Sequence, residues 1–117
     1  MREITNATIE AIKANKKLTR AKMCVDSYTA GTDRCSNVYL HNNHIAQLRF
    51  TETGKCVQLL VNDCGYQSNT TKDRLNAIIG EFTDSYRNGI AQKKFIWHLT
   101  VGEKSAVMQS GKWHKII

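Results

Sequence analysis

From Val38 to Phe82 the chain alternates, turns, alternates again and then changes period, with almost no residues to spare between the changes. Val38 and Leu40 alternate with Tyr39 and His41, and beyond Asn42-Asn43 the pattern resumes as Ala46, Leu48 and Phe50 opposite Ile45, Gln47 and Arg49. Two asparagines tolerate the positive φ of a tight turn, so the segment predicts a β-hairpin turning at Asn42-Asn43. Thr51-Glu52-Thr53-Gly54-Lys55 reads as a second turn, and Val57, Leu59 and Val61, alternating with Gln58, Leu60 and Asn62, as a third strand. Leu75, Ile78, Ile79 and Phe82 then fall at i, i+3, i+4 and i+7, which predicts a helix over about residues 71–84, with Thr70 and Asp73 as a capping box.

The flanks follow the same grammar. Ile4, Ala7, Ala11, Ala14 and Leu18 repeat at helical spacing, so a first helix is expected over about residues 6–18, capped by Thr5 or Asn6. Met23–Tyr28 reads as a short strand before the Thr29-Ala30-Gly31-Thr32-Asp33 loop signal. Asp84–Gln92 reads as a polar linker, Phe95–Val101 as a strand, Ala106–Gln109 as its partner across Gly102-Glu103-Lys104, and Ile116-Ile117 as the end of a last short segment. Consecutive strands joined by short turns predict an α+β fold, an antiparallel meander of about five to seven short strands with two helices packed on one face. At 117 residues, with 41% hydrophobic and 23% charged residues and no proline, the chain is expected to form a single globular domain over 1–117.

The charge is basic and uneven. Seventeen Lys and Arg stand against ten Asp and Glu, for a formal +7. Residues 1–36 hold seven bases and four acids, 37–83 four of each, and 84–117 six bases and two acids. A neutral centre with basic flanks points to a polyanionic partner, nucleic acid first, because each phosphate contact releases counterions. A basic surface kept for solubility accounts for the same numbers.

Chemistry-bearing residues are scattered. Cys24, Cys35, Cys56 and Cys64 are 11, 21 and 8 residues apart, without the close pair that structural zinc sites use, and His41-x-x-His44 has no thiol or carboxylate fixed beside it. No apolar leader core lies in Met1 to Asn6, and no apolar run approaches the ~20 residues of a membrane span. The thiols are therefore expected to be reduced and intracellular, with no metal, no cofactor and no membrane partner. No paired carboxylates and no nucleophile with a local base appear, so the chain reads as a non-enzyme with no catalytic residues. For binding, Lys13, Lys16, Lys17 and Arg20 cluster at the end of the first helix, where cations also complement the helix dipole. One sheet face is expected to show Tyr39, His41, Gln47, Arg49, Gln58 and Asn62. Lys93, Lys94, Lys112 and Lys115 with Trp113 and His114 interleave cations and aromatics as single-strand binders do.

The string Val38-Tyr39-Leu40-His41-Asn42-Asn43-His44-Ile45-Ala46, followed by Gly65-Tyr66-Gln67-Ser68 and Thr70-Thr71-Lys72-Asp73-Arg74-Leu75-Asn76, resembles a family of small tailed-bacteriophage proteins over about residues 37–82. Tyr66 stands where that family pattern has tryptophan, and Asn42 where glycine is frequent. The resemblance implies a phage-encoded protein acting in the host bacterial cytoplasm, outside the virion, and implies no activity. Within the motif, Arg74 and Asn76 lie on other sides of the helix from Leu75 and are candidates either for hydrogen bonds to the preceding turn or for ligand contacts. From the basic flanks and the polar sheet face, the leading expectation is a nucleic-acid-binding protein for RNA or single-stranded DNA, and the alternative, from a different class, is an accessory protein that binds and modulates a host protein. Self-association is left open.

Overall fold

The computed structural model describes residues 3–117. Helix α1 (Glu3–Lys13) precedes β1 (Leu18–Arg20), β2 (Met23–Ala30), β3 (Asp33–Leu40), β4 (Asn43–Phe50) and β5 (Cys56–Val61). Helix α2 (Asn69–Phe82) is followed by β6 (Asn88–Lys93), β7 (Ile96–Val101), β8 (Lys104–Val107) and β9 (His114–Lys115). All pairings are antiparallel, in a six-stranded sheet ordered β1-β2-β3-β4-β5-β9 and a three-stranded sheet ordered β6-β7-β8. The α+β class is as the alternation predicts. The single meander becomes two sheets, because α2 separates β6, β7 and β8 from the strands before it, and the described residues form nine strands, of which β1 is only three residues long and leaves no alternation to read. The expected linker at Asp84–Gln92 contains the start of β6, where Asn88 and Gly89 are poor strand formers.

Register explains the core. Val25, Val38, Ala46 and Val61 lie opposite one another across four strands, as do Ser27, Ser36, Leu48 and Leu59 in the next row. These side chains are buried on the inner face, where Ser27 and Ser36 satisfy each other by a 2.8 Å hydroxyl hydrogen bond. Ile9 and Ile12 of α1, Leu75, Ile78 and Ile79 of α2, and Ile90, Trp97 and Met108 from the small sheet and its edge complete one continuous core. A bulge at Ile45 sets Val38 against Ala46 but Tyr39 against His44, so Ile45 and Ala46 are both buried.

Three local expectations are corrected. The first helix ends at Lys13, since Asn15 takes a positive φ of 52° and the Lys16 N–H reaches back to the Ala11 carbonyl, a glycine-like helix stop. Its buried face is Thr5, Thr8, Ile9, Ala11 and Ile12, Leu18 belongs to β1, and Thr5 and Asn6 lie inside the helix. The β3–β4 turn is His41-Asn42, both at positive φ, with Leu40 paired to Asn43; the asparagine pair is thus out of register by one, because the bulge shifts the second strand. The cap of α2 is Ser68, whose hydroxyl accepts from the Thr71 N–H at 3.1 Å, and not the Thr70/Asp73 box. Asp73 is engaged by Arg74 instead. Ser68→Ala is expected to lower stability by about 1 kcal/mol while Thr70→Ala stays near native; chemical denaturation of both variants checks this.

Candidate nucleic-acid interface

The two helices lie on the inner face of the six-stranded sheet, and the opposite face carries a different set of groups. Cross-strand rows there run Tyr28–Cys35–Arg49–Gln58 and Asp26–Asn37–Gln47–Leu60–Lys115, with Cys24 and Tyr39 opposite each other in the next row. Apart from buried Cys35 these residues are half-buried or exposed. A dent of about 260 Å³ opens between Tyr28, Asn37, Gln47, Arg49 and Gln58. Two expected members are absent: His41 occupies the turn, and Asn62 is buried with its amide oxygen accepting from the Cys64 N–H at 2.8 Å.

An aromatic row crosses one end of this face. Tyr39 stacks on His44 with ring centroids 4.6 Å apart, and the edge of the row is Trp113, T-shaped to His44 at 4.9 Å and 40% exposed. Trp113 reaches it because β9 pairs Lys115 with Leu60 and His114 with Val61, bringing the C-terminal segment to the edge of β5. Burial pushes the His44 pKa down, so the ring is neutral, and its Nε2 stands 3.1 Å from Asn37 Oδ1. A neutral imidazole that meets a carbonyl oxygen carries its proton on that nitrogen. The hydrogen bond fixes both the ring and the amide, leaving the Asn37 NH₂ free of that bond.

The predicted cations divide into two groups. Lys13 pairs with Glu81, Lys17 with Asp26 at 3.5 Å, Arg20 with Glu3 at 2.6 Å and Arg49 with Asp33 at 2.7 Å. The Glu81 hydrogen bond raises the pKa of Lys13, and that of Asp33 raises Arg49. Arg74 is only 6% exposed, and its Nη1 donates to Thr5 Oγ1 at 2.8 Å and to Asp73 at 2.9 Å, so it ties α2 to α1 inside the molecule. Lys16, Lys93, Lys94 and Lys112 are exposed or half-buried and form no ion pair among the described residues. Lys112 flanks the aromatic row, whereas Lys93 and Lys94 lie at the β6–β7 turn on the small sheet.

A cleft of about 470 Å³ lies at the same turn end of the large sheet, between the β3–β4 turn and the start of α2. Leu40, His41, Asn43 and Ile45 form one wall and Tyr66, Thr70 and the Ser68–Thr71 cap the other. Asp63 closes it as a buried carboxylate accepting from the N–H groups of Gly65 at 2.9 Å and Gly111 at 2.6 Å, from Gln67 at 3.0 Å and from Ser110 at 3.3 Å. Burial alone would raise its pKa; the four donors outweigh it and hold the carboxyl below its ordinary value.

Over residues 1–115 the chain matches the family described as Kyanoviridae Gp96 protein. It belongs to that family. No curated protein and no solved structure matches it. Membership makes this a phage protein, in line with the resemblance read over residues 37–82, and extends the likeness to both ends of the chain. The Gp96 family member has no helix long and apolar enough to cross a membrane among its described residues.

Among those residues no three His, Cys, Asp or Glu side chains gather at metal-binding distance. The cysteines are free thiols; Cys64 Sγ donates to the His44 carbonyl at 3.1 Å, and burial raises the pKa of Cys64 and Cys56. The sequence pattern sets His44 beside the turn and gives no sign of Asn37, since only the bulge brings His44 level with Tyr39. The cleft does leave a signal: its walls are two separate strings of the phage-like pattern, Leu40 to Ile45 and Tyr66 to Thr71.

Proposed function

We propose that this phage protein binds single-stranded nucleic acid, RNA or DNA, without catalysing a reaction, on the outer face of its large sheet in the host bacterial cytoplasm. The observation that carries this reading is the Tyr39–His44–Trp113 row, which sets aromatic rings at the edge of a sheet face that carries the amides of Asn37, Gln47 and Gln58 and is flanked by Lys112 and Lys115. Stacking surfaces beside hydrogen-bonding groups and unpaired cations suit unstacked bases and their phosphates. Trp113→Ala is expected to weaken binding of a short single-stranded RNA or DNA by about 1–3 kcal/mol with its salt dependence unchanged. Lys112→Gln with Lys115→Gln should instead flatten the salt dependence, by about 0.7 in logarithmic slope for each phosphate no longer neutralised. Absence of salt-sensitive retention of single strands at low ionic strength rules the reading out.

A second reading is favoured by the small sheet. Phe95 is 91% exposed at the β6–β7 turn, beside exposed Ile96 and Val107 and next to Lys93 and Lys94. An apolar group rimmed by cations suits an acidic host protein surface. Stoichiometric co-purification of a host protein after nuclease treatment, lost in Phe95→Ser, would favour that function over the first.

A further inference from the structure

The geometry points to a nucleobase subsite in the cleft beneath the β3–β4 turn, and we propose that it takes one base of the single strand that also lies on the aromatic row. This rests on the nucleic-acid reading above. At about 470 Å³ the cleft falls within the size range of small-ligand sites. Buried Leu40 and Ile45 give it an apolar floor, and Tyr66, 61% exposed, gives it a ring at the rim. The hydroxyls of Ser68 and Thr71 are occupied by the helix cap, but Asn43 and Thr70 form no side-chain hydrogen bond among the described residues. Their amide and hydroxyl groups are therefore available to a base edge.

Charge decides which part of a nucleotide belongs there. No Lys or Arg lines the cleft, while Asp63, held ionised by its four donors, makes its closed end negative. A phosphate would be repelled; a flat neutral ring with N–H donors would not. The unpaired cations Lys112 and Lys115 stand outside the cleft, toward the aromatic row, where a backbone would run.

The two places are neighbours. Tyr39 stands in the aromatic row on the outer face and His41, two residues further along the chain, at the wall of the cleft on the helix side, so a strand joining them passes around the β3–β4 turn. His41 and Asn42, held at φ of 51° and 67°, form the saddle over which the strand would pass.

The experiment is fluorescence anisotropy of a labelled short single-stranded RNA, and of the DNA of the same sequence, with Tyr66→Ala and Asn43→Ala. Tyr66→Ala should weaken binding about tenfold, as expected for loss of one stacked base, and leave the salt slope and the melting temperature at native values. Asn43→Ala should weaken it severalfold, and amide resonances of Thr70 and Thr71 should shift when the oligonucleotide is added. If both variants bind as the native protein does while Trp113→Ala binds poorly, the cleft subsite is overturned and the sheet-face reading stands. If the native protein binds no single strand, both fall together.

Discussion

Asp63→Ala is expected to lower stability by about 3–6 kcal/mol, because it removes the charged acceptor of the Gly65 and Gly111 N–H groups, at about 1.5–3 kcal/mol for each hydrogen bond to a charged group. The side chain joins the end of β5 to the Ser110-Gly111 turn, nearly fifty residues away, and so holds the segment that carries Trp113. The loss should therefore appear twice, as a lower denaturation midpoint and as weakened quenching of Trp113 on ligand addition. The pH dependence has a definite sign. Since the folded carboxyl titrates below its unfolded value of about 3.9, its contribution is fully present above that pH and is lost as pH falls through the folded value. Asp63→Asn, which keeps one acceptor oxygen, should be milder and should remove this part of the acid sensitivity; identical acid unfolding of variant and native protein would refute the assignment.

Trp97→Ala should be comparably severe, about 3–5 kcal/mol, through the cavity left by a large buried ring. Trp97 lies on β7 of the small sheet yet belongs to the same core as Leu75 and Ile78, and the Met108 N–H bonds to its carbonyl at 2.9 Å. The substitution tests whether the two sheets unfold together. A single transition shifted to lower denaturant is expected; a variant whose large sheet melts at the native midpoint would show the small sheet to be energetically separate.

What is legible in the sequence is short-range. Period-2 alternation locates β3, β4, β5 and β7, and the Leu75–Phe82 spacing locates α2, because those patterns need only one buried face. The interface is legible in its residue types but not in its arrangement. Tyr39 and Trp113 are 74 positions apart and meet at His44 only through a bulge and a two-residue strand. The basic clusters mislead for the same reason: Lys13, Lys17, Arg20 and Arg49 find their acids across elements, and Arg74 finds Thr5 at a separation of 69 residues. A sequence shows that a guanidinium is present, and not that a second helix will cover it. Ser68 escapes the capping-box pattern because that pattern needs an acid or amide three residues on, and here the reciprocal partner is the Thr71 hydroxyl.

Asn76, the last residue of the phage-like pattern, accepts from the Ile90 N–H at 2.8 Å and donates to the Ile90 carbonyl at 2.9 Å. A primary amide that takes both groups of one strand residue imitates a neighbouring strand for the length of a single residue. It does so on β6, an edge of the small sheet, and so blocks the site where an unfolded or foreign chain would first template itself. One pair of edge groups on β6 is thereby closed by a helical side chain, while the opposite edge, β8, pairs only with β7 among the described residues and carries Lys104 at its start.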